Sequence, residues 1–189
     1  MPLPLFATAH TTHHEAIDWA RRASANGGTI STTVLRAVSD FCAAADRDAF
    51  RSAMYRVNLF CGGTLAGCLV PLYRGPTFGG TNFGNATDTN QNFVSADFTE
   101  TGATGGLKGN GTNKLLIPGL LVSNSVIPAN SIHMGAPAIE LETTSNRALI
   151  GGQEGSGAFR GAVLWNSYTF VAGGPWRRFE VNGSTAATA

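Results

Sequence analysis

The sequence predicts a mainly β chain, a β-sandwich or barrel preceded by a short α-helical N-terminal unit. Three observations carry this expectation. The 189-residue chain changes character near residue 60, with clear helical spacing and 11 of its 25 charged residues before that point. After it come most of the 24 glycines, and short apolar runs alternate with Gly, Asn and Ser clusters, the spacing of strands joined by turns. Charged residues are only 13% of the chain, against ~25% in an ordinary soluble domain, so much of the surface is uncharged or covered by neighbours.

Residues 1–14, beginning MPLPLFATAH, form an extended arm, because the two prolines disfavour helix and the apolar residues have little core of their own. Residues 15–60 are the helical unit. A first helix is expected over about 13–24, with Glu15 and Asp18 early and Arg21 and Arg22 late, as the helix dipole prefers. The ANGG that follows supplies the glycine for a left-handed stop. A second helix is capped by Ser31 or Thr32 and places Val34, Leu35, Val38, Phe41, Cys42 and Ala45 on one face. A third helical segment, RDAFRSAMYRVNLF, sets Phe50, Met54 and Val57 on one side, with Arg47, Arg51 and Arg56 solvated.

Residues 61–183 are the sandwich, trimmed or completed by strands of a neighbour, and residues 184–189 are a frayed tail. LAGCLVPLY is read as its first apolar run and NFVSADFTETG as a half-buried strand. KLLIPGLLVS carries a proline that confines it to an edge or a strand end. RALIGGQ, FRGAVLWNSYTFVAG and WRRFEVNGS follow as further strands.

Composition limits the functions. A formal net charge of +1 advertises neither nucleic acid nor an anionic membrane, and no run of ~18 apolar residues is present to span one. The N-terminus lacks the basic start and apolar centre of a secretory signal, so an intracellular product is expected, and the sequons at Asn85, Asn110 and Asn182 carry little weight. Cys42, Cys61 and Cys68 are read as buried reduced thiols, with a Cys61–Cys68 bridge left open.

GLKGNGTNK, residues 106–114, imitates a phosphate-binding loop. Thr112 stands where that loop needs lysine, Asn113 where it needs a hydroxyl, and Pro118 breaks any following helix. The stretch reads instead as a tight Asn-Gly corner between strands, flanked by solvated Lys108 and Lys114. His10, His13 and His14 read as helix-end histidines rather than zinc ligands, and His133 is isolated. DTNQN offers Asp88, Asn90 and Asn92 as calcium candidates, but the glycine and glutamate of an EF-hand loop are replaced by Phe93 and Thr99, and Asx turns are the simpler reading. The carboxylate pairs Asp97/Glu100 and Glu140/Glu142 lack surroundings that imply a glycosidase, and Gly155–Gly157 is not a complete nucleophile elbow. No enzyme activity and no cofactor are therefore expected. Tyr168, Trp176, Arg177 and Arg178 are the candidates for a protein interface or a glycan platform.

The run AIDWARRASANGGTISTTVLRAVSDFCAAADR, with YRVNLFCGG, VPLYRGP and the L-x-G-N-G-T-x-K stretch, resembles a recurrent type of phage and prophage structural protein over residues 15–170. In such proteins a helical segment leads into a laminin-G/concanavalin-like jelly-roll. The resemblance implies a virion component of tail, fibre or head surface, working as a homo-oligomer with other virion proteins and without enzyme activity. It carries over no functional residues. The alternative is a carbohydrate-binding module that contacts host glycans.

Overall fold

The computed structural model describes residues 11–54, 56–73, 87–100, 105–110 and 112–118 with their side chains, and 77–78, 81–82, 147–153, 161–169 and 175–181 as backbone strands. Residues 1–10 of the arm expected over 1–14, with His133, Glu140, Glu142 and the tail at 184–189, lie outside the described residues, and His14, expected in the arm, is instead the first residue of a helix capped by His13.

Helix α1 spans His14–Ala25 and α2 spans Thr32–Arg47, both where the sequence places them. His13 caps α1 by accepting from the Glu15 amide, and Ser31 caps α2 by accepting from the Val34 amide. Gly27, at φ 94°, turns the chain after α1. The expected third helix is reduced to a 3-10 turn at Arg51–Ala53, because the chain has already turned at Ala49, φ 57°. LAGCLVPLY is also a correction. Its first half is the one-turn helix α3, Leu65–Cys68, capped by Thr64, and its second half is a buried irregular segment that bends at Val70 and Leu72 and bridges to Val57 at Tyr73.

That segment lies at the centre of the buried cluster among the described residues. Trp19, Ala16, Ala23, Val38 and Cys42 of the two helices pack with Val70, Leu72 and Tyr73 in one buried cluster. Trp19 is fully buried, and its indole N–H donates to the Val70 carbonyl at 3.1 Å. Arg22 donates to the Pro71 and Leu72 carbonyls at 2.7 and 3.1 Å, so α1 satisfies a backbone whose Pro71 cannot itself donate. On its other side Leu72 donates to the Val57 carbonyl at 2.8 Å.

Three glycines allow the loops to close on this core. A Cβ on Gly67 would lie 2.4 Å from the Gly62 carbonyl oxygen and 2.8 Å from the Gly28 Cα, so no other residue fits where these backbones meet.

The strands are short. β1 (Thr77–Phe78) pairs with β2 (Thr81–Asn82), β3 (Thr89–Gln91) with β6 (Leu115–Ile117), and β4 (Phe98–Thr99) with β5 (Gly106–Leu107), all antiparallel. β7 (Arg147–Gln153), β8 (Gly161–Thr169) and β9 (Pro175–Val181) form a three-stranded antiparallel meander.

These elements contradict the mainly β sandwich. Over the residues described with side chains, 43% are helical and 13% are in strand or bridge, and the sheets there are two ladders of two strands each. The physical reason lies in the turn signals. In the sequence they read as punctuation between strands of a large sheet, whereas here they bend apolar runs around two helices or nest one short hairpin within another. NFVSADFTETG shows this locally, because Ser95–Asp97 is a 3-10 turn closed by the Asp97 carboxylate on the Val94 amide at 2.8 Å, leaving only Phe98–Thr99 as strand.

Candidate functional site

Residues 87–118 form the nested hairpin, with the β3–β6 ladder outside and the β4–β5 ladder inside. Between the ladders the two arms swell into a polar corner. Asn110 organises one arm, its side-chain carbonyl accepting from the amides of Thr112, Asn113 and Lys114 at 3.0, 3.1 and 3.1 Å. Its side-chain amide donates to the Asn113 side-chain oxygen at 2.7 Å. Asn92 reaches across to donate to the Asn113 carbonyl at 2.9 Å. GLKGNGTNK is thus a corner, as the sequence suggests, but it joins strands of two different ladders and does not close one hairpin.

Lys114 corrects the solvated-flank reading. Its ammonium sits on both oxygens of Asp97 at 2.6 and 2.7 Å, and this contact, with the Val94 amide, holds the Asp97 carboxyl below the usual carboxylate range. The backbone amide of Lys108 donates to the Asp97 carbonyl at 2.8 Å.

Two carboxylates tie the hairpin to the helical unit. Asp88 takes a hydrogen-bonded ion pair from Arg56 and a hydrogen bond from the Asn58 side-chain Nδ2, and its own backbone N–H donates to the Leu69 carbonyl at 2.9 Å. The side chains of Asp88 and Arg56 are only 2% and 7% exposed, so Arg56 is not the solvated residue expected. Burial pushes the Asp88 carboxyl up, more than Arg56 and Asn58 pull it down. Glu100 reaches the loop before α3, where one oxygen accepts from the Gly62 and Gly63 amides, each at 2.7 Å. Gly63, at φ 76°, helps turn two successive N–H groups onto one acceptor.

The candidate residues fall apart chemically once placed. Asp88 is spent on Arg56, Asn90 accepts from and donates to Phe93, and Asn92 donates to Asn113, so the three do not converge on a common point. Asp97 and Glu100 face different partners and do not form an acid–base pair. Among the described residues no group of three His, Cys, Asp or Glu side chains is arranged to hold a metal. Cys42, Cys61 and Cys68 are free thiols, and burial pushes Cys61 and Cys68 up to about 12, far from a reactive thiolate. Tyr168 and Trp176 are cross-strand partners in the β8–β9 register, and Arg178 pairs with Trp165. No helix among the described residues is long and apolar enough to cross a membrane.

At the other end of the helical unit a charged cluster encloses the α1 cap. His13 contacts Asp46 at 2.9 Å and stacks on His14, while Arg51 pairs with Glu15 and lies 5.3 Å over the Tyr73 ring. Since the His13 Nδ1 accepts the Glu15 amide, the proton of its neutral ring is on Nε2, facing Asp46.

Sequence reasoning missed the Arg56–Asp88 and Glu100–Gly62/Gly63 tethers. A consecutive glycine pair just before a capped turn was the available signal for the second.

No family model, no curated protein and no solved structure matches the chain.

Proposed function

We propose that this chain is a non-enzymatic structural protein of a bacteriophage virion, acting through contacts with other virion proteins and with copies of itself. One observation carries the reading. Large apolar side chains stand exposed on several elements, with Phe50 58%, Val94 55%, Leu115 42% and Ile117 47% accessible, in a chain only 13% charged. Leu115 and Ile117 lie on one face of β6, and such a face favours burial against a partner over exposure to water. The carboxylates Asp88, Asp97 and Glu100 add support, since each is committed to an internal structural partner. The phage setting comes from the sequence resemblance over residues 15–170.

Native mass spectrometry and particle purification test this reading. The chain should form oligomers and co-purify with virions, and Leu115→Ser with Ile117→Ser should weaken both without unfolding the protein. A soluble monomer that never enters particles sinks it.

The Tyr168–Trp176 register favours a second reading, a glycan platform on the β7–β9 meander. A glycan array with no hits, together with unchanged adsorption of particles carrying Trp176→Ala, would dispose of it.

A further inference from the structure

We propose that His13 is a pH-operated switch at the start of α1, giving up its cap on the helix for an ion pair with Asp46 when its ring takes up a proton. The ring has a different partner on each nitrogen. Nδ1 accepts from the Glu15 amide at 3.2 Å, and Nε2 lies 2.9 Å from an Asp46 carboxylate oxygen on α2. The usual caps, serine, threonine, aspartate and asparagine, accept through an oxygen that remains an acceptor around neutral pH. The acceptor of His13 is a ring nitrogen, which protonation turns into a donor. An N–H would then face an N–H, so the cap and the charged ring exclude each other.

The surroundings decide where the charged ring stays. Asp46 faces it from α2, and on its own helix His14 stacks on it with ring centres 4.5 Å apart and lies 3.7 Å from Glu15. Arg51, from the turn after α2, pairs with Glu15 and lies 3.7 Å from Asp46. The His13 side chain is only 15% exposed, which keeps the ring against Asp46 and out of the solvent. Its backbone is held as well, because the His13 N–H donates to the Ser39 hydroxyl of α2 at 2.8 Å.

The proton therefore moves His13 from one partner to another. Neutral, the ring closes the first turn of α1. Charged, it strengthens the link to α2 at Asp46 and leaves the Glu15 amide to water. A cation at a helix N-terminus also opposes the helix dipole, which adds to the loosening of that turn. Acid thus frays the start of α1 while His13 stays fixed to α2. The lost cap and the gained ion pair offset each other in the total stability, so the switch is read locally.

The test follows the full chain by NMR from about pH 8 to about pH 5, the range in which histidine changes charge. At the alkaline end the ring nitrogen shifts of His13 should show a bare Nδ1 and a protonated Nε2. On acidification, exchange of the Glu15 amide, taken relative to an unfolded chain at the same pH, should rise about fivefold, the worth of one side-chain cap. His13→Asn supplies a cap that does not titrate and should hold that ratio constant, whereas His14→Asn should leave the rise in place. A Glu15 ratio independent of pH in the native chain overturns the proposal, as does a protonated Nδ1 at the alkaline end. So does a rise that persists in His13→Asn or vanishes in His14→Asn. If either variant fails to fold, the ring tautomer and the Glu15 profile of the native chain decide.

Discussion

The helical unit and the nested hairpin are stabilised by different physics. In the helical unit apolar side chains close around a backbone segment, and Trp19 and Arg22 supply the hydrogen bonds which that segment cannot find for itself. In the hairpin the strands are two or three residues long, too short for a ladder to be stable alone, and polar side chains hold the shape: Asn110 in the corner, Asp97 on Lys114, Asp88 and Glu100 on the helical unit. The first region can fold by burying area. The second depends on the first, because its two tethers end on groups that the first presents. This ordering teaches where a substitution acts locally and where it takes the whole chain with it.

The largest expected effect is loss of the shared core. Trp19→Ala should cost about 3–5 kcal/mol, because it opens a cavity and also leaves the buried Val70 carbonyl without its donor. Urea denaturation should show the helical and hairpin signals lost together. A hairpin that outlasts the helices would reverse the dependence argued above.

Next comes the buried tether. Arg56→Ala leaves the Asp88 carboxylate buried without its cation and should cost about 3–5 kcal/mol, whereas Arg56→Met combined with Asp88→Leu should be far milder. The distinction separates the cost of an orphaned charge from the worth of the pair. If the double variant is as unstable as Arg56→Ala, the pair itself contributes the stability.

Glu100 gives a smaller and more local result. Glu100→Ala leaves the Gly62 and Gly63 amides without their acceptor and should cost about 1.5–3 kcal/mol, the range for hydrogen bonds to a charged group. Hydrogen exchange at these two amides should accelerate while Trp19 and the α1–α2 contacts keep their protection. Uniform acceleration across the chain would mean that the Glu100 contact supports the core as well.

The helices were legible in the sequence because the information is local. Ser31 three residues before Val34 is a cap, and apolar residues at helical spacing in 34–45 are a buried face, whatever follows. The strands of the meander were legible for the same reason. The error about the sandwich came from the step between elements, since turn signals show that a chain reverses but not which strand it returns to. The NG corner is an example, joining β5 to β6 although neither is the other's partner. The tethers were out of reach for a related reason. Arg56 and Asp88 are 32 residues apart, and Glu100 is 38 and 37 residues from Gly62 and Gly63, so only the packed core brings them together. A lone arginine in a segment read as helix looks solvated until its carboxylate arrives.

Acid titration should give the subtlest separation of the two regions, because Asp97 and Asp88 respond with opposite sign. Lys114 holds the Asp97 carboxyl below its unfolded value. Its contribution is fully present above the unfolded value, about 3.9 for aspartate, and is lost as the pH falls through the lower folded value. Burial raises the Asp88 carboxyl, so the folded chain takes up that proton at a higher pH than the unfolded chain does. Falling pH across that window therefore favours the folded state at Asp88. Asp97→Asn should flatten the loss of stability below about pH 4, and Asp88→Asn should steepen it just above, whatever each does to stability at neutral pH. Urea midpoints measured from pH 7 down to pH 3 read both slopes. Changes of the same sign in the two variants would mean that the Arg56 pairing, and not burial, governs Asp88, and would make the tether an ordinary salt bridge.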